Sequence, residues 1–247
     1  MMETKYFHDA FGGEATDKDL GEEVILVSDP LLVPTLAKRL VDSKELFSHY
    51  EFVAFSGRMH GRSILICSTG LGGGSASIAI DNLANLGLRR FIFLEYLPGV
   101  GSSEEPTVEV ALGTARLDGA SLDYAPQDFP AISDPLVFMA LLESVKNRNM
   151  KSRRVIFCGS IGQLSDGELL ALQDYDQSQG HDLTHPVPLS VAHPEISTTL
   201  TLASLYSLRA GAIKIVSPGE GSQDAYSRMM EIAVDTFRLL EIWAIRD

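Results

Sequence analysis

Short runs of aliphatic and β-branched residues alternate along the chain with stretches whose apolar positions recur at helical spacing. VILVS at 24–28 reads as a first buried strand, and the spacing that follows predicts a helix near 32–46. EFVAFSGRMHGRSILICS, 51–68, reads as extended chain that folds back on itself, with His60 and Gly61 at a tight turn. SASIAIDNLANLGL, 75–88, sets Ile78, Ala79, Leu83 and Leu86 on one helical face and stops at Gly87. Strands RRFIFLE, VEVALGTARL, RRVIFCGS and AGAIKIVS follow, with helices predicted near 134–148, 194–207 and 222–245. Strands alternating with helices over the whole length predict one α/β domain, 1–247, with a largely parallel sheet. A polar arm runs to about Gly21, and QDYDQSQGHDLTHPVPLS, 173–190, reads as a surface loop.

Composition narrows the partners. With 33 acidic and 20 basic residues in 247, the formal charge is −13, which repels nucleic acid and anionic membrane surfaces. A small solute or another protein is the expected partner. No apolar run reaches the roughly 18 residues of a membrane span, and the polar start lacks the apolar core of a secretory signal, so a cytoplasmic location is expected. Cys67 and Cys158 both fall in apolar strands and read as buried thiols rather than as a disulfide or a nucleophile.

Three stretches invite chemistry. STGLGGGSAS, 68–77, leaves a strand and enters a helix, where backbone N–H groups and the helix dipole can hold an anion. With Glu95 ending the next strand, this imitates a dinucleotide-binding fingerprint, but its third glycine position is Ser75. The alternative is that the glycines simply allow close helix packing. His181 and His185 have a metal-ligand spacing for a helix, yet Pro186 argues against a helix there, and no metal or cofactor is expected. Ser68 and Ser160 lack the G-x-S-x-G surroundings of a nucleophilic serine.

CSTGLGGGSASIAIDNLANLGLRRF, 67–91, followed by ARLDGASLDYAPQDFPAISD, 115–134, strongly resembles the uridine phosphorylase group of the nucleoside phosphorylase superfamily. FH at 7–8, SDP at 28–30, SHYEF at 48–52 and LRAG at 208–211 fall in matching order. The resemblance implies a single-domain α/β fold with a central mixed twisted sheet flanked by helices. It also implies a site that holds phosphate, ribose and base together for an oxocarbenium-like transition state.

Aligned on those motifs, the phosphate set departs from the family pattern. Its glycine becomes Ser28, its three arginines become Leu32, Tyr50 and Leu94, and its two threonines become Leu97 and Pro98, with Gly99 retained. Each charge-assisted hydrogen bond is worth about 1.5–3 kcal/mol, so losing three weakens phosphate binding by several kcal/mol even if the losses do not add fully. Glu95 nearby has the wrong sign. The base set becomes Leu164, Glu168 and Leu170, which replaces two donors by an acceptor and an apolar group. The ribose set places His193, Pro194 and Glu195 where the family has its acidic segment, and His8 matches a histidine that caps a neighbouring subunit's pocket. Arg116, Asp118 and Ser121 match well but read as structural or interface residues.

The resemblance therefore implies a homodimer or an oligomer of dimers. It leaves two functional classes open. One is a non-catalytic homologue that binds a nucleoside or nucleobase, or that serves an active homologous subunit. The other is a divergent enzyme that still cleaves the N-glycosidic bond, by phosphorolysis or with water, for which Glu95, Glu168 and His193 are the candidate activators.

Overall fold

The computed structural model describes residues 20–98, 106–159, 189–217 and 222–244. Its framework is one mixed sheet of strands β1 (Glu23–Val27), β2 (Val41–His49), β3 (Phe52–Met59), β4 (Arg62–Ser68), β5 (Arg90–Pro98), β6 (Thr107–Arg116), β7 (Ala131–Ile132), β8 (Lys151–Gly159), β9 (Leu189–Ala192) and β10 (Arg209–Ser217). The helices are α1 (Leu32–Ala37), α2 (Gly73–Asn85), α3 (Ala120–Tyr124), α4 (Pro135–Asn147), α5 (Pro194–Leu205) and α6 (Ser222–Ala244). Strand order is β2-β3-β4-β1-β5-β10-β6-β8-β9, with β7 beside β6. β4, β1, β5 and β10 run parallel, and so do β6, β8 and β9, but the two sets meet antiparallel at β10 and β6. The sheet is thus mixed, less uniformly parallel than the alternation of elements suggests.

Both faces are covered, which is why the central strands are apolar on both sides. Phe91 and Phe93 of β5 lie on one face with Ala79, Ile80 and Leu83 of α2 and Ile196 and Leu200 of α5. Ile92 and Leu94 lie on the other with Val33 and Leu36 of α1, Val137 and Leu141 of α4, and Met229, Ala233 and Phe237 of α6. Cys67 and Cys158 are buried free thiols; burial pushes Cys67 well above the ordinary thiol range and moves Cys158 in the same direction against the pull of Lys214. Among the described residues no helix is long and apolar enough to cross a membrane.

One predicted element is wrong in its second half. The helix expected over 32–46 ends at Ala37, and Val41–His49 forms an edge strand against β3. Of that strand only Phe47 is buried, so a helix there would have had almost no apolar face to cover, and pairing with β3 overrides the local spacing. The second turn, at His60 and Gly61, has both φ values positive, at 51° and 80°, as a two-residue hairpin connection requires. Residues 189 and 190, expected in a loop, begin β9.

Candidate functional site

A row of charged residues crosses the sheet on the α2/α5 face. Glu95 of β5 is in register with Lys214 of β10, Lys214 with Glu109 of β6, and Glu109 with Arg153 of β8. Register partners share a face, so signs alternate along the row. Its inner part is fully enclosed: Lys214 is 1% exposed and Glu109 0%. Glu109 receives Lys214 Nζ at 2.9 Å, Ser190 Oγ at 2.6 Å and Arg153 Nε at 2.8 Å. Lys214 also donates to Ser190 Oγ at 2.7 Å and stands 5.1 Å from the centre of the Phe157 ring. Burial works to raise the Glu109 carboxyl, but Lys214, Ser190 and Arg153 outweigh it and hold the carboxyl below its usual range.

The row ends at Glu95, where the strand ends of the sheet meet the start of α5. Glu95 is 3% exposed. Its Oε1 accepts the His193 backbone N–H at 3.2 Å and lies 3.3 Å from His193 Nδ1. Its Oε2 is buried with no hydrogen-bond partner among the described residues. Burial pushes this carboxyl up, and although His193 and Lys214 oppose the shift, the nearby charge of Glu195 adds to it and the net direction is upward.

Glu195, in the first turn of α5, is 1% exposed and accepts the backbone N–H of Gly72 through Oε1. Gly72 is the N-cap of α2, so an anion does sit at the glycine loop, and it is the protein's own carboxylate. The Glu195 Oε2 is also buried without a partner. Gly73 next to it must be glycine: a Cβ there would stand 2.5 Å from Thr198 Oγ1 and 2.9 Å from the Ala120 side chain. Close packing of α2 on α5 and α3 therefore explains this glycine.

The other sequence-predicted residues are scattered by comparison. Ser28 is buried just after β1. Leu32 packs at the start of α1 against the cluster that contains Leu94, so both have joined the core on the α1/α4/α6 face, opposite Glu95. Tyr50 stands at the β2–β3 turn, 81% exposed, with φ 51°. Leu97 belongs to β5. His193 is the half-exposed N-cap of α5. His8, Gly99, Leu164, Glu168, Leu170, His181 and His185 lie outside the described residues. Among the described residues no cluster of three acidic, histidine or cysteine side chains is arranged to hold a metal ion.

Arg116 and Asp118 are structural. Arg116 donates to the carbonyls of Pro126 at 2.5 Å, Phe129 at 2.9 Å, Ser121 at 2.6 Å and Ala125 at 2.7 Å, fixing the chain around α3. Asp118 accepts from the Ser121 N–H at 2.7 Å, the Ser121 hydroxyl at 2.9 Å, the Thr198 hydroxyl at 3.1 Å and the Ser197 hydroxyl, tying α3 to α5. Lys214 and Tyr226 escaped the sequence reading. A lysine inside the apolar run AGAIKIVS was the available signal for the first. Tyr226 had none, since its relation to Glu95 is purely tertiary.

No protein-family model matches the chain. It is 34% identical over 152 residues to the uridine phosphorylase of Salmonella typhimurium, a match that covers 60% of this chain and spans 58% of that relative's length. To the uridine phosphorylase of Thermococcus kodakarensis it is 30% identical over 207 residues, 79% of this chain and 72% of the relative. The chain belongs to the uridine phosphorylase family. The Haemophilus influenzae uridine phosphorylase agrees, at 31% identity over 203 residues, 76% of this chain and 77% of that one. Within the uridine phosphorylase family, then, this chain sets the buried carboxyl of Glu195 on the N-cap of its glycine loop, and Glu195 and Glu95 each keep an oxygen without a partner among the described residues.

Proposed function

We propose that this protein is a nucleoside-binding member of the uridine phosphorylase family that does not carry out phosphorolysis. The observation that supports it is Glu95, a buried carboxyl within reach of the charge of Glu195; each of the two has one oxygen without a partner among the described residues. A phosphate dianion brought to this end of the sheet would meet two carboxyls, while Lys214, in register with Glu95, is already engaged with Glu109 and Ser190. None of the three positions at which the family pattern has arginine supplies a cation to this end of the sheet. Leu32 and Leu94 instead pack with the core, and Tyr50 is neutral. Glu195 remains suited to accept from ribose hydroxyls through Oε2.

One observation favours a residual hydrolytic activity: the Glu95 carboxyl and His193 imidazole, 3.3 Å apart, form an acid–base pair of the kind that could take a proton from water. The same experiment tests both readings. Release of uracil from uridine is followed with and without phosphate, for the wild type and for Glu195→Ala. The expected result is no acceleration by phosphate, with any residual hydrolysis lost in the variant. Phosphate-dependent turnover to ribose 1-phosphate at about 1 per second or faster would overturn the proposal.

A homodimer or larger assembly of dimers fits the same reading. Leu31, Tyr50 and Leu71 are large exposed apolar side chains in the connections that follow β1, β2 and β4, and a second copy would cover such groups. Light scattering that shows only the monomer at micromolar concentration would refute the assembly.

A further inference from the structure

We propose that residues 151–155 of β8 form a docking edge for an acidic segment of a partner protein, which adds to the sheet as one more extended strand. Two independent observations carry it, the pairing of β8 and the charge along it. Neither depends on what the site around Glu95 binds.

β8 is paired with β6 along its length, from Lys151 beside Thr107 to Gly159 beside Arg116. On its other side β9 pairs only from Ile156 beside Leu189 to Gly159 beside Ala192. The outer side of residues 151–155 therefore has no strand next to it among the described residues, and Lys151, Ser152, Arg153 and Arg154 are all exposed. The change falls where the register with β6 slips, between Ala111 and Gly113, opposite Val155 and Ile156; a bulge of this kind bends a sheet and interrupts pairing. Backbone N–H and C=O groups along an open strand side are a template for another extended chain.

The charge of this stretch is opposite to that of the whole protein. KNRNMKSRR, 146–154, holds five of the 20 basic residues, and no acidic residue stands between Glu143 and Asp166 in a chain of net charge −13. Arg148 is engaged with Glu231 and Asp235, and Arg153 with Glu109. Lys146 stands 3.9 Å from Glu143 with its side chain 79% exposed, while Lys151 and Arg154 are exposed and make no ion pair among the described residues. Side chains alternate along a strand, so Lys151 and Arg154 lie on opposite faces. An added acidic strand meets a cation whichever face its carboxylates take.

The opposite edge of the sheet differs on both counts. β2 slips register twice against β3, has a positive φ at Asp42, and sets Lys44 between Asp42 and Glu45, so it offers neither a regular ladder nor one sign of charge. Chemistry also selects the class of partner. Single-stranded nucleic acid and anionic lipid bring charge without donors and acceptors at strand spacing, and a long polyanion also meets the acidic remainder of the surface. A short acidic polypeptide segment brings both the charge and the backbone.

The probe is the peptide acetyl-Thr-Glu-Glu-Val-Glu-Glu-Thr-amide carrying a dye, followed by fluorescence anisotropy at low ionic strength. Beside it are measured the same peptide with Gln for Glu, the same peptide N-methylated at alternate residues, oligothymidylate, and phosphatidylserine vesicles. We expect the acidic peptide to bind about tenfold more tightly than the glutamine peptide, the worth of one charge-assisted hydrogen bond. N-methylation should weaken it by a similar factor, and the preference should vanish in the double variant Lys151→Glu with Arg154→Glu. Equal binding of the acidic and glutamine peptides, undiminished binding after N-methylation, or an undiminished preference in the double variant would each overturn the proposal, and so would tighter binding of oligothymidylate or vesicles than of the peptide. A purely protective role for these edge cations predicts no peptide binding at all. Should the double variant fail to fold, amide hydrogen exchange of the wild type decides. Exchange at the outward amides of residues 151–155 should slow when the acidic peptide is added; unchanged exchange, or full protection beforehand because the chain itself or a second copy occupies the edge, contradicts the proposal.

Discussion

Glu109 and Glu95 lie on one face of one sheet, separated by a single residue of the row, and both are buried. Their chemistry runs in opposite directions. Glu109 is surrounded by Lys214, Ser190 and Arg153 and is held in its charged form; Glu95 has one satisfied oxygen, one open oxygen and a second carboxyl nearby, and is driven toward its neutral form. Burial is common to both, so burial alone does not set the outcome. The count of donors does. A satisfied buried charge is part of the scaffold, and a carboxyl with an oxygen left without a partner among the described residues is a cost to it.

The sharpest way to break this contrast is to remove the cation between the two. Lys214→Met leaves Glu109 buried without its closest enclosed cation and deprives Glu95 of its attraction. A loss of about 3–5 kcal/mol in urea unfolding is expected, as for a broken buried ion pair. A loss below 1 kcal/mol would mean that Arg153 and Ser190 suffice and that the row is not the unit described.

Glu95→Leu should act in the opposite sense. Taking away a carboxyl with an unmade hydrogen bond is expected to stabilise the protein by about 1–3 kcal/mol at pH 8. The pH dependence follows from the upward shift. In the wild type the native state holds the Glu95 proton above the ordinary value of 4.5, so this group's contribution is present below that pH and lost as pH rises through the raised native value. The advantage of Glu95→Leu should therefore grow with pH. Glu109 has the reverse sign: its contribution is present above 4.5 and disappears as pH falls through the lowered native value. Urea unfolding of both proteins across pH 4–8 checks the direction, and an advantage that shrinks with rising pH would contradict it. The smallest effect is expected at Tyr50. Exposed at a turn, it should tolerate Tyr50→Asn within about 0.5 kcal/mol, because asparagine adopts positive φ readily. A larger loss in a dilute monomer would show that Tyr50 packs more firmly than its exposure implies.

Much of the scaffold was legible in the chain because the central strands are mainly apolar, with Glu95, Glu109 and Lys214 as the interruptions, and because α2 and α4 carry end signals of their own. Gly87 ends the chain segment after α2, and Asp134 caps α4 by accepting from Leu136 N–H and Val137 N–H. The edge strand Val41–His49 was not legible, since its pairing partner, not its own spacing, determines its shape. The site was half legible. Glu195 and His193 could be placed by motif order, and Glu95 could be seen as a carboxyl near the end of a strand. That Glu95 shares a face with Glu195 while Leu94 points into the opposite core depends on the pleat of β5 and on register with β10, which is set by contacts over a hundred residues apart in sequence.

The central claim is that this end of the sheet no longer holds phosphate. Calorimetric titration of the wild-type protein with inorganic phosphate at constant ionic strength tests it most directly, with Glu95→Leu alongside as the variant that removes the opposing charge. The account predicts no saturable binding by the wild type. Saturable binding with a Kd of roughly 1 mM or tighter, worth about 4 kcal/mol, would contradict it.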